Sequence, residues 1–72
     1  MKNYHINLFY SPEDGCWIAD VPDLKYCSAH GETPEDALRE IKVAMKLWLA
    51  TARQQCKPVP RASYRPAIYQ LA

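Results

Sequence analysis

One long amphipathic helix constrains the fold of this chain more than any other feature. Thr33 is suited to cap it, and Pro34 to occupy its first position, where a backbone N–H is not needed. Glu35 and Asp36 follow, at the positive end of the helix dipole. Residues 57–60 contain two prolines and end the helix, because proline disrupts its backbone hydrogen bonds.

Apolar residues recur in this segment every three or four positions, which places them on one face of a helix. They are Leu38, Ile41, Met45, Trp48 and Ala52, widened by Ala37, Ala44 and Leu49. Four basic residues point away from that face, namely Arg39, Lys42, Lys46 and Arg53. The pattern predicts a helix from Pro34 to Gln54 with an apolar face that another element must cover.

The first thirty residues predict that covering element, a small antiparallel sheet. Residues 4–10 (YHINLFY) and 16–21 (CWIADV) have strand character, and the turn residues 11–15 between them favour a hairpin. Pro22 ends the second strand, and a third short strand follows over residues 26–30. The apolar face of this three-stranded meander is formed by Trp17, Ala19, Val21, Cys27 and Ala29.

A last strand is predicted after the helix, over residues 67–71 (AIYQL). It can lie parallel to an earlier strand through a right-handed crossover. The predicted fold is therefore α+β with the order βββαβ, in one domain that spans residues 1–72 and leaves no room for a C-terminal DNA-binding module. A single core of this size favours self-association.

The residue chemistry indicates a binding protein rather than an enzyme. Three cysteines without a C-x-x-C pair indicate neither a disulfide framework nor a four-cysteine zinc site. Cys27 and His30 have C-x-x-H spacing, but strand alternation sends them to opposite faces. Asp20 and Asp23 are the carboxylates near the middle strands, too few to hold the two Mg²⁺ ions of a nuclease. We expect no catalytic residue, no metal ligand and no cofactor.

Charge is strongly segregated along the chain, although the formal net charge is only +1. All eight acidic residues precede position 41, where three basic residues accompany them, whereas six basic residues and no acidic one follow. The two halves therefore present opposite potentials. The N-terminus lacks the apolar stretch of a signal peptide, and no apolar run reaches the roughly 20 residues of a membrane helix, so we expect a cytoplasmic protein.

The chain resembles the HicB-like antitoxin family over residues 4–60. The resemblance lies in Val21-Pro22-Asp23-Leu24, in Cys27, in the segment 31–38 (GETPEDAL) and in Val59-Pro60. Family members carry a PDLPGC-like segment that leads into G-x-T-x-E-E-A-L, and they end the helix with a similar I-P pattern. This chain departs from the family at Lys25-Tyr26, where Pro-Gly is frequent.

The resemblance implies a partial ribonuclease-H-like fold and an antitoxin that neutralises a HicA-like toxin, a small basic protein that cleaves RNA. It also implies a homodimer or homotetramer. Many members add a C-terminal module that binds operator DNA, and the expected absence of that module argues against direct operator binding here.

An acidic surface would attract such a basic toxin. We therefore expect the partner to contact Glu13, Asp14, Asp20 and Asp23, and we expect Trp48 to form an oligomer contact. Two alternatives remain open. One is an orphan oligomeric HicB-like domain with a regulatory or small-ligand role. The other is a nucleic-acid-binding accessory protein that uses the basic half, which is less favoured because the basic residues of the helix also complement its own dipole.

Overall fold

A computed structural model of the chain describes residues 3–69. Its elements are, in chain order, β1 (Asn7–Ser11), β2 (Cys16–Asp20), β3 (Ser28–Gly31), α1 (Pro34–Gln54) and a short 3₁₀ turn (Ala67–Tyr69). The helix has the predicted bounds. The predicted cap is also present, since Thr33 Oγ1 accepts a hydrogen bond from the Asp36 amide at 3.1 Å.

The three strands form an antiparallel sheet in the order β1-β2-β3, as the meander predicted. Tyr10 pairs with Trp17, and Trp17 pairs with Gly31. The β1–β2 turn closes through Gly15, whose amide donates to the Ser11 carbonyl at 2.8 Å and whose φ of +64° suits a residue without Cβ. The third strand begins two residues later than predicted, because Tyr26 adopts a left-handed φ of 62° that interrupts extended backbone.

The helix covers the predicted apolar face of the sheet. The fully or nearly fully buried side chains are Tyr4, Ala19, Val21, Leu24, Cys27, Ala37, Ile41, Met45, Leu49 and Ala52. Gly31 allows this close approach, because a Cβ atom there would lie 2.5 Å from the Ala37 amide nitrogen. Ser28 and His30 face away from the helix and are exposed, in agreement with the predicted alternation of β3.

The predicted C-terminal strand over residues 67–71 is wrong for the part that the structure describes. Residues 67–69 form the 3₁₀ turn, and residues 70 and 71 lie outside the described range. Within residues 3–69 the sheet has three strands, so neither the order βββαβ nor a ribonuclease-H-like fold is shown. Three prolines at 58, 60 and 66 remove amide donors that a strand ladder would need, which explains the irregular path before the turn.

No helix within residues 3–69 combines the length and apolar character that crossing a membrane requires.

Leucine-to-alanine variants at two positions should separate the core from the surface. Leu24 is 1% exposed and Leu47 is 64% exposed. We expect Leu24→Ala to lower the free energy of unfolding by about 2–5 kcal/mol, since it removes buried methyl groups and leaves a cavity. The matched control Leu47→Ala should change it by less than about 0.5 kcal/mol. Urea unfolding measures both, and equal losses would contradict this description of the core.

Candidate functional site

Exposed acidic residues gather at one end of the molecule, which we call the acidic end. Glu13 and Asp14 lie in the β1–β2 turn, and β3 finishes beside the start of β2, so Glu32 lies at the same end of the sheet. The helix begins immediately afterwards and adds Glu35 and Asp36. Four of these five residues are exposed, and Asp36 is partly exposed. The acidic end is defined by Glu13, Asp14, Glu32, Glu35 and Asp36.

Basic residues lie at the opposite end of the molecule, because α1 runs back along the sheet. The Trp48 indole N–H donates to the Lys25 carbonyl at 3.0 Å and so holds the second half of the helix beside the loop between β2 and β3. Lys25, Arg53 and Lys57 are exposed there, and we call these three residues the basic end. The charge asymmetry of the sequence is thus an asymmetry between two ends of the fold.

The structure does not bring the four predicted partner-binding acids together. Glu13 and Asp14 belong to the acidic end, whereas Asp20 closes β2 at the other end of the sheet, about 13 Å along the strand from Cys16. Asp20 is partly buried and pairs with Asn7 and Ser28 on the face away from the helix. Sequence reasoning assigned Glu32, Glu35 and Asp36 to the helix start alone, and their spatial grouping follows from the strand order.

Asp23 holds the segment after the helix. Its carboxylate accepts hydrogen bonds from the Ser63 amide at 3.2 Å, the Ser63 hydroxyl at 3.1 Å and the Tyr64 amide at 3.1 Å. Nearby, the Tyr4 hydroxyl donates to the Pro60 carbonyl, and the His5 and Tyr64 rings lie 4.8 Å apart. These contacts give Asp23 a structural role that the sequence did not indicate.

Trp48, the predicted oligomer contact, is partly buried beside a surface groove of about 540 Å³. The groove is also lined by Tyr26, Leu47, Lys25 and Lys57. Tyr26 is 92% exposed and its ring lies 5.5 Å from the Lys25 ammonium. Its left-handed backbone explains why the resembling family often has glycine there, since glycine adopts this conformation without strain.

The titratable groups of the core are unfavourable for nucleophilic chemistry. Burial raises the pKa of the Cys27 thiol, and the carboxylate of Asp20 raises it further. Burial likewise raises the pKa of the Tyr4 hydroxyl, with a smaller contribution from Asp23. Cys27 is buried and His30 exposed, so they do not form a pair. Among residues 3–69 no three His, Cys, Asp or Glu side chains are grouped to hold a metal ion.

Removal of the Asp23 carboxylate should release the segment after the helix. We expect Asp23→Ala to lower the free energy of unfolding by about 1–2 kcal/mol, because three donors of Ser63 and Tyr64 lose their acceptor. Hydrogen exchange at these two amides should accelerate at least tenfold. Asp14→Ala is the matched control, because Asp14 bonds to Ser11 within the hairpin turn. Unchanged exchange at Ser63 and Tyr64 would contradict the assignment.

The three cysteines should react with iodoacetamide at different rates. Cys56 is exposed and should react first, whereas Cys27 is buried and should react last. Because its pKa is raised, Cys27 holds little thiolate over the ordinary range of thiol ionisation, and its rate should rise only at higher pH. Mass spectrometry of the native and urea-unfolded chain measures the order, and rapid labelling of Cys27 in the native chain would refute it.

The chain is similar to three small proteins that share one family name. UPF0150 protein ssl0259 of Synechocystis sp. is 38% identical over 58 residues, which cover 81% of this chain and 78% of that protein. UPF0150 protein Ta0767 of Thermoplasma acidophilum is 33% identical over 49 residues, or 68% of this chain and 71% of that protein. UPF0150 protein ssr1258 of Synechocystis sp. is 40% identical over 37 residues, or 51% of this chain and 54% of that protein.

No protein-family model matches the chain, and no solved structure matches it. The shared name of the three relatives states no activity. The first two similarities nevertheless extend over most of both proteins compared. The chain therefore belongs to the UPF0150 family.

Proposed function

We propose that this protein is an antitoxin-like binding protein that neutralises a small basic RNA-cleaving toxin of the HicA type. The observation that carries the proposal is the acidic end, where exposed carboxylates of the hairpin turn, the end of β3 and the start of α1 lie at one end of the fold. A ribonuclease of this kind needs a cationic face for its RNA substrate. The acidic end offers such a face a competing partner.

Charge segregation also supports a preferred orientation of the partner. The acidic end attracts a cationic protein, while Lys25, Arg53 and Lys57 at the other end repel it. The attraction acts mainly on the rate and direction of approach, since exposed ion pairs each contribute about 1 kcal/mol or less. Binding that depends on several such charges weakens as salt screens them.

The resemblance to HicB-like antitoxins supports the same proposal from the residues of the motif. Gly31 permits the close contact between β3 and α1, and Thr33 caps the helix. Asp23 holds the segment after the helix. These residues of the motif build the scaffold, so the partner's specificity falls to the variable exposed residues around it.

Inhibition of a purified HicA-type ribonuclease tests the proposal. The chain should bind the toxin and block cleavage of a reporter RNA at equimolar ratio. The variant Glu13→Lys, Asp14→Lys, Glu35→Lys should weaken binding about tenfold at low salt, on the basis of about 0.5 kcal/mol for each exposed charge. The matched control Lys25→Glu, Arg53→Glu, Lys57→Glu should bind at least as well. Isothermal titration and gel-based cleavage assays provide the two readouts.

Two results would contradict the proposal. Absence of both binding and inhibition would favour an orphan domain. Binding of RNA by the chain alone, with strong salt dependence and loss in the variant of the basic end, would favour the nucleic-acid accessory role.

A further inference from the structure

The outer edge of β3 has no strand partner among the described residues, and exposed apolar side chains of the helix lie beside it. Val43 is 50% exposed and Leu47 is 64% exposed, one helical turn apart. They line a groove of about 530 Å³ together with Ser28, Ala29 and His30 of β3. An unpaired edge and an apolar helix flank therefore form one continuous surface.

Exposed strand edges are normally protected by lysine, by proline or by a bulge, because they otherwise pair with another chain. Ser28-Ala29-His30-Gly31 contains neither residue, and its register with β2 is regular. We propose that this surface binds a second copy of the chain. The β3 edges pair antiparallel about a two-fold axis, and Val43 and Leu47 of the two helices meet above them.

The dimensions of the fold suit this arrangement. The helix packs mainly on β3 and less on β2 and β1, so it lies near the edge of the sheet. Two paired β3 strands lie about 4.8 Å apart, and helices placed slightly inside them fall within the 8–10 Å of packed helices. Val43 of one copy then contacts Leu47 of the other, because the helices are antiparallel.

Charge complementarity favours a second copy as the occupant. The first half of α1 carries Glu35, Asp36 and Glu40, whereas acidic residues are missing from its second half, which carries Lys46 and Arg53. Antiparallel helices place the acidic half of each copy beside the basic half of the other, and their dipoles also oppose. An extended acidic peptide would complement one end of the groove alone.

The opposite edge of the sheet offers less to a second copy. Leu8 and Phe9 on β1 are 39% and 48% exposed, but α1 makes its fewest contacts with this strand. Pairing through β1 would join the strands without bringing the two helices together. The β1 edge therefore supplies the matched control for the experiment.

Sedimentation velocity and light scattering over a concentration series test the proposed dimer. The wild-type chain should show twice its 8.3 kDa mass. Val43→Lys, Leu47→Lys and Val43→Glu, Leu47→Glu should each be folded by circular dichroism but monomeric, since like charges meet at the axis. Mixing the two variants should restore a dimer that contains one copy of each. The control Leu8→Lys, Phe9→Lys should leave the wild-type dimer intact.

Three results would overturn the proposal: a monomeric wild-type chain at the highest concentration, a dimer that survives both charged helix variants, or dissociation by the β1 control. The test is independent of the proposed toxin binding, because the acidic and helix-flank variants are separate. A chain that dimerises as described but binds no toxin would preserve this inference and refute the proposed function.

Discussion

The burial of one face of α1 against β2 and β3 is the interaction on which the structure depends. Ala19, Ala37 and Ile41 have no exposed surface, and Gly31 allows helix and strand to approach closely. Neither partner would be stable alone. A sheet of four- and five-residue strands needs a covering element, and an isolated helix of this length is marginal in water. The amphipathic pattern of the helix is therefore the information that specifies the whole fold.

The direction of the helix converts the order of charges in the sequence into a separation in space. The chain enters α1 beside the hairpin turn and leaves it beside the loop that carries Lys25. Acidic residues that precede the helix and basic residues that follow it therefore reach opposite ends. Asp20 and Asp23 are exceptions, because β2 carries the chain away from the hairpin turn before the third strand returns.

Local patterns predicted the elements that local interactions determine. The cap at Thr33, the apolar repeat of α1 and the hairpin turn each involve residues close in sequence, and all three are present. The pairing of Asp23 with residues 63 and 64 could not be predicted, since it joins positions 40 residues apart through a turn without periodicity. Residues 67–69 have the composition of a strand, but a strand needs a neighbour, which composition does not specify. The grouping of the acidic residues was missed for the same reason, because it depends on strand order.

Tyr26 places a large aromatic ring on a backbone conformation that glycine adopts without strain. The surrounding loop maintains this conformation through backbone hydrogen bonds between Val21, Leu24 and Cys27 and through the buried side chain of Leu24. The loop thus spends part of its folding energy on the presentation of one nearly fully exposed side chain. Glycine at this position would relax the native loop but would also enlarge the conformational entropy of the unfolded chain. Relatives that differ at this single position can therefore share the same scaffold and still display different chemistry at the mouth of the groove.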